Sequence, residues 1–183
     1  MEAIKLSEIF FDKIKPRLHE RIGRKLQGDK HVLDLGCGNC ELVRYLAETR
    51  GRQVIGIDIS SEKFPRYKEL AKAGVNIRCI RKDAINLEFL YETMDAVVIM
   101  WALHEMEQPL SVLQEAHRVL RPGGKVVIVE FPRNLWAQKL WNENYYTSKE
   151  LTSFLRKAGF KDIRAKQIER KQILWVNGRR GTN

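Results

Sequence analysis

The chain alternates short apolar runs with stretches of helical spacing. Residues 32–35 (VLDL) are a brief run that stops at Gly36 and predicts a strand. Over 41–50, Leu42, Val43, Leu46 and Ala47 share one helical face. Residues 53–59 (QVIGIDI) predict a second strand. Ser60 then serves as N-cap of a helix running to about Ala73, which Gly74 stops. A third strand is expected over 75–80. A fourth covers 96–100 (AVVIM), whose unbroken apolar run suits burial on both faces. Residues 110–120 predict a helix, closed by an Arg121-Pro122-Gly123-Gly124 turn before a fifth strand, KVVIVE, at 125–130. Upstream of residue 30, Ile9, Phe10, Ile14, Leu18 and Ile22 mark an amphipathic helix, expected on the edge of the sheet.

Strands that alternate with helices imply a parallel α/β sheet with right-handed crossovers. Such sheets bind ligands at the carboxyl ends of their strands. The pattern changes after residue 131. Residues 132–147 hold Trp136, Trp141, Tyr145 and Tyr146 in an irregular polar context. Thr147 or Ser148 can cap a helix to Ala158, ended by Gly159. Two alternating runs at 163–168 and 172–176 lie close enough to pair as an antiparallel hairpin. The expected organisation is one domain over 1–183. Residues 1–30 form an N-terminal helical segment, and 132–147 a substrate-side insertion or lid.

Composition narrows the class. Hydrophobic residues make up 44% of the 183 and charged residues 31%, a globular balance. No apolar run approaches the roughly 20 residues of a membrane span. The N-terminal residues show no secretion signal, and three cysteines do not make a disulfide framework, so a cytoplasmic setting is expected. The net charge of +10 has two readings. One is a polyanionic partner such as RNA. The other, preferred because the basic residues are scattered, is a solvated basic surface.

The chemistry concentrates at strand ends. In Asp34-Leu35-Gly36-Cys37-Gly38-Asn39-Cys40-Glu41 a strand enters a glycine-rich turn that opens a helix. Gly36 and Gly38 allow a ligand close to the backbone. A dinucleotide site would want a third glycine where Glu41 stands, so that a pyrophosphate could reach the helix. A carboxylate there repels pyrophosphate and tolerates a cofactor carrying an amino group and a sulfonium. Asp58 ends the second strand, where a carboxylate can accept from two ribose hydroxyls. Asp83-Ala84 follows the third strand and can meet an adenine edge with a carboxylate and an amide. Taken alone, an aspartate at a strand end is more often a turn residue; their repetition at successive strand ends carries the signal. Cys37 and Cys40 also form a Cys-x-x-Cys, the spacing of a redox pair. Cys79 and the four histidines show no zinc spacing.

The segment from about His31 to Phe131 resembles class I S-adenosylmethionine-dependent methyltransferases, most nearly the small-molecule branch of the ubiquinone/menaquinone-biosynthesis type. The resemblance is carried by VLDLGCG, GIDIS, KDA, AVVIMWALHEM and LQEAHRVLRPGGKVVIVEF, with YYTSKELTSFLRKAGF beyond them. It implies a Rossmann-like, mostly parallel seven-stranded sheet of order 3-2-1-4-5-7-6. The last strand would be antiparallel, with helices on both faces. It implies S-adenosylmethionine as cofactor. Asp34 and the backbone of Gly36, Cys37 and Gly38 would meet its methionine part. Asp58 would hold the ribose and Ile59 the adenine face. Asp83 and Ala84 would meet the adenine edge, and Met100 and Trp101 would line the end of the fourth strand. Cys40 departs from the family's usual glycine.

The reaction implied is an in-line displacement of a methyl group onto an unidentified small-molecule acceptor. Met100-Trp101-Ala102-Leu103 is unlike the Asn- or Asp-Pro-Pro-aromatic sequence used on planar amino groups, which disfavours that chemistry. His104 is the candidate general base, with Glu105 beside it to orient the ring. The opposing reading is a packed histidine at a helix start. The alternatives for the whole chain are an RNA or protein methyltransferase, or a non-catalytic methyltransferase-like subunit that binds RNA or a partner. No metal is expected.

Overall fold

In the computed structural model, which describes residues 2–66 and 77–182, the elements follow the predicted alternation. Helix α1 spans Glu2–Lys25, β1 His31–Leu35, α2 Glu41–Arg50, β2 Gln53–Asp58, β3 Ile77–Arg81 and β4 Met94–Met100. A 3-10 turn at Leu103–Glu105 precedes α3 (Pro109–Val119) and β5 (Leu120–Glu130). The chain ends with α4 (Trp136–Trp141), α5 (Ser148–Lys157), β6 (Lys161–Ile168) and β7 (Ile173–Arg179). Residues 61–66 are turn and irregular backbone. The remainder of the helix expected to Ala73, with its Gly74 stop, lies outside the described residues.

The seven strands form one sheet of order β3-β2-β1-β4-β5-β7-β6. The pairs among β1 to β5 are parallel, and β7 runs antiparallel to both β5 and β6. The period of two then sorts the central strands between two cores. Leu33, Leu35, Val97, Ile99, Val126 and Ile128 face α3 and α5. Val32, Ala96, Val98, Val127 and Val129 face α1 and α2. Thr147 caps α5 through a capping box with Glu150, satisfying two backbone donors.

Two expectations need correction. The Arg121–Gly124 turn does not separate helix from strand. It loops out of β5, because Met94 pairs with Leu120 and Ala96 with Lys125. Arg180 closes this loop through two backbone bonds to Gly123 and Gly124. Helix α1 lies across a face of the sheet rather than its edge, and its apolar stripe keeps Ile14, Leu18 and Ile22 as expected, with Phe10 partly buried on the same core and Phe11 in place of Ile9. Phe11, Ile14, Leu18, Ile22 and Leu26 are buried, whereas Ile9 is exposed. Spacing by three and four fits either stripe, and only the partner surface chooses.

Candidate functional site

The carboxyl ends of β1, β2 and β4 surround one cavity of about 750 Å³. Asp34, Gly36, Cys37, Gly38, Asp58, Ile59, Asp83, Ala84, Met100 and Trp101 all line it. These ten come from four separate stretches of sequence, so their convergence is a property of the fold. Every one was named from the sequence.

The glycine turn is fixed by its hydrogen bonds. The amides of Gly36 and Cys37 both donate to Ile57 O, at 2.8 and 3.0 Å. Gly36 has φ 76°, and a Cβ there would overlap the Ala102 Cβ. Position 36 therefore needs glycine for its conformation and for its neighbour. The Gly38 amide donates to Asp58 Oδ2 at 2.8 Å, and the Ser60 amide to Oδ1 at 3.0 Å. Asp58 is thus aimed by backbone, with lone pairs left over for hydroxyl donors.

Asp34 is buried, and its pKa is pushed up to about 7, first by burial and then by the Asp58 charge. No side-chain donor pairs with it among the described residues. A cation placed beside Asp34 would oppose both effects by favouring the ionised carboxylate. At the rim, Ile59 is exposed, an apolar surface against which a planar base can lie. Asp83 Oδ1 accepts from the Ile85 amide at 3.1 Å, the turn-residue role. Its other oxygen is open to a ligand.

The 3-10 turn after β4 carries the second feature. His104 Nδ1 lies 2.8 Å from Glu130 Oε2, and Glu130 is wholly buried at the end of β5. The Leu103 amide donates to Glu130 Oε1 at 2.7 Å. Burial lowers the His104 pKa, but the hydrogen bond and charge of Glu130 outweigh it and hold it above the ordinary value. Glu105, the orienting residue expected from the sequence, is 3.8 Å from Nε2 and solvent-facing. Glu130 takes its place. The sequence signal was a lone carboxylate ending the run VVIV, a position where a buried charge needs a partner. His104 stands behind the cavity wall formed by Trp101, Ala102 and Glu105 rather than among the lining residues.

An aromatic group covers this end. Trp101 stacks on Phe131 with centroids 5.0 Å apart. Phe131 also meets Phe11, Trp141 and Tyr145. Trp101 holds φ 55°, and its indole Nε1 is buried without a partner. Tyr145 is fully buried and so packs, whereas Trp136 and Trp141 keep exposed surface.

The three cysteines converge under the glycine loop. Cys40 and Cys79 are disulfide-bonded, and Cys37 Sγ is 3.7 Å from Cys40 Sγ. Sequence spacing hid Cys79, because β3 brings it beside α2 only in the fold. Burial and the charges of Asp34 and Asp58 push the Cys37 thiol far up, which disfavours the reactive thiolate of a redox pair.

The profile of the family described as "Methyltransferase domain" matches residues 33–128. This chain belongs to that family. It is 35% identical over 116 residues to a demethylmenaquinone methyltransferase of Staphylococcus epidermidis, covering 62% of this chain and 48% of that protein. It is 36% identical over 121 residues to the 27-O-demethylrifamycin SV methyltransferase of Amycolatopsis mediterranei, covering 63% and 44%. The chain thus spans about half the length of these curated relatives. The fold matches a SAM-dependent methyltransferase from Aquifex aeolicus with a TM-score of 0.73 at 21% identity, over 88% of each chain. No helix among the described residues is long and apolar enough to cross a membrane.

Proposed function

We propose that this chain binds S-adenosylmethionine in the 750 Å³ cavity and transfers its methyl group to a small-molecule acceptor. The observation that carries the reading is Asp34, a buried carboxylate with no cationic side chain paired to it among the described residues, lining a cavity that Asp58 also lines. That pair suits a ligand bearing both positive charge and ribose hydroxyls. The cavity volume falls within the range of small-molecule sites, about 300–1,000 Å³. The ribose is assigned to Asp58, the adenine to Ile59, Asp83 and Ala84, and the methionine end to Asp34 and the loop from Gly36 to Gly38.

When bound, this cofactor supplies an already activated methyl group on a sulfonium. The protein then has to align the acceptor with that methyl and exclude water. Met100 and Trp101 shape the exit of β4 for this purpose, and Trp136 and Trp141 are assigned to the acceptor side as a lid. His104, oriented by Glu130, takes the acceptor's proton when one must leave. The small-molecule acceptor is supported by the demethylmenaquinone and demethylrifamycin enzymes among the relatives. The cytoplasmic setting expected from the cysteine count is opposed by the Cys40–Cys79 disulfide, which a reducing compartment disfavours.

Calorimetry with S-adenosylmethionine is the direct test. Asp58→Ala should weaken binding tenfold to a hundredfold, since a hydrogen bond to a charged group contributes about 1.5–3 kcal/mol. No binding by the wild-type chain would reject the proposal. Binding without transfer of labelled methyl to any component of a cell extract would favour a non-catalytic subunit.

A further inference from the structure

A second cavity, of about 250 Å³, lies between α1 and the β6–β7 hairpin and shares no residue with the first. Arg21 and Lys25 form one wall and Arg164 and Lys166 the other, with Trp175 and Asn177 between them. The sequence explains this concentration. Arg21 and Lys25 are four apart on α1, and so about 6 Å apart on one side of the helix. Arg164 and Lys166 are two apart on the edge strand, and so about 7 Å apart on one face. Their partners in register are Asn177 and Trp175. The intervening Ala165, like Ile163, packs against the opposite core. Arg179, two residues beyond Asn177, extends the same face.

Elsewhere the basic residues are widely paired with acids. Lys15, Arg17, Lys82, Arg118, Arg121 and Arg133 each have a carboxylate. Around the second cavity Asp29 neutralises Lys125. Among the described residues no carboxylate pairs with Arg21, Lys25, Arg164, Lys166 or Arg179. Burial and the charges of Arg179, Lys125, Arg164 and Lys166 all lower the Lys25 pKa. The folded protein thus keeps like charges together, an arrangement that an anion relieves.

We propose that this groove binds single-stranded nucleic acid through its phosphate backbone. Two rows of cations at a spacing of about 6–7 Å suit a chain of phosphates better than one small anion. The groove is a concave site of about 250 Å³, which suits one strand rather than a flat lipid surface. Among the described residues the exposed large apolar ones, Ile9, Ile59, Leu90, Tyr91, Trp136 and Trp141, all lie outside its lining, so none of them accompanies the charge as a lipid-inserting residue. Trp175 is covered by the Arg21 guanidinium, 5.6 Å from its ring, and offers no free face for base stacking. Binding is therefore electrostatic and without sequence preference.

The test is fluorescence anisotropy of a labelled 20-nucleotide uridine oligomer with the whole chain, from 50 to 200 mM salt. With four to five phosphates neutralised, a log–log slope near −3 is expected, a loss of roughly 60-fold over that range. Arg164→Glu with Lys166→Glu should weaken binding at least tenfold at 50 mM salt and flatten the slope. S-adenosylmethionine affinity should stay unchanged. Arg156→Glu with Lys157→Glu on α5 carries the same charge change away from the groove and should retain most of the binding. Equal loss in both variants would overturn the site in favour of diffuse charge. So would absence of binding at 50 mM salt. Displacement of the oligomer by millimolar inorganic phosphate, or preferential binding to phosphatidylglycerol vesicles, would overturn the nucleic-acid assignment.

Discussion

His104 and Glu130 form a buried ion-pairing couple, Nδ1 to Oε2 at 2.8 Å, although 26 residues separate them in sequence. Glu130 is fully enclosed and already accepts from the Leu103 amide, so its carboxylate cannot swing away. The imidazole is held in one orientation by its bond to Glu130, behind the cavity wall of Trp101, Ala102 and Glu105.

The first prediction concerns this couple. Its raised pKa places His104 above its ordinary 6.5 in the folded chain. As a general base it must be neutral, so methyl transfer should rise with pH through that raised value. His104→Ala should reduce turnover by roughly 10²–10⁴ with cofactor affinity nearly unchanged. Glu130→Gln should move the midpoint down in pH as well as slow the rate. Imidazole NMR across pH 5–9 checks the titration independently. The linkage has the matching sign: the stability contributed by protonated His104 is complete below pH 6.5 and is lost as pH rises through the folded pKa. A flat rate profile would assign His104 to packing.

The second concerns Asp34. Its folded pKa of about 7 lies above the ordinary 3.8, so the ligand-free fold binds that proton more tightly than the unfolded chain. Stability from this group is complete below pH 3.8 and declines as pH rises toward 7. Asp34→Asn should therefore raise the melting temperature of the ligand-free protein at pH 8 while weakening S-adenosylmethionine binding. Wild-type binding near pH 6.5 should release a proton, seen as a dependence of the calorimetric heat on buffer ionisation enthalpy. A heat independent of buffer would show that Asp34 does not meet the cationic part of the ligand.

The third compares two glycines of one loop. Gly36 has φ 76° and a Cβ there would overlap Ala102, whereas Gly38 has φ 50° and open space around it. Gly36→Ala should cost more than the roughly 1–2 kcal/mol of a left-handed alanine, because β4's exit loop must also move. Gly38→Ala should cost about that amount alone. Denaturant melts of the two variants rank them, and an equal loss would contradict the packing.

The fourth concerns the staple. Cys40–Cys79 closes a loop with a sequence separation of 39. Closing a loop of that length is expected to contribute about 3–4 kcal/mol through the unfolded state. Reduction, or Cys79→Ala, should lower the melting temperature, while Cys37→Ala should leave cofactor affinity within a few fold. Alkylation of the denatured chain should label one cysteine before reduction and three after. Three labels without reductant would show that the bond is absent in solution.

Much of this protein was determined locally. The glycine turn, the strand-end aspartates and the capping box at Thr147 are set by residues within a few positions of each other. Local sterics and hydrogen bonding act over that range, so Gly36, Gly38, Asp58, Asp83 and Ala84 could be read from the residues themselves, while Asp34, Cys37, Ile59, Met100 and Trp101 were reached through the resemblance. The sheet order was reached through resemblance, with the antiparallel hairpin read from the residues themselves. Four features waited for tertiary structure. Glu130 rather than Glu105 holds His104, because β5 lies beside β4 while Glu105 points to solvent. Cys79 reaches Cys40 only because β3 stands next to β2. Phe11 rather than Ile9 is buried, because the sheet and not the helix selects the stripe. Scattered lysines and arginines become a groove where α1 crosses the β6–β7 hairpin. Each of these joins residues far apart in the chain, and such pairings depend on which surfaces the folded elements bury together, which no local pattern encodes.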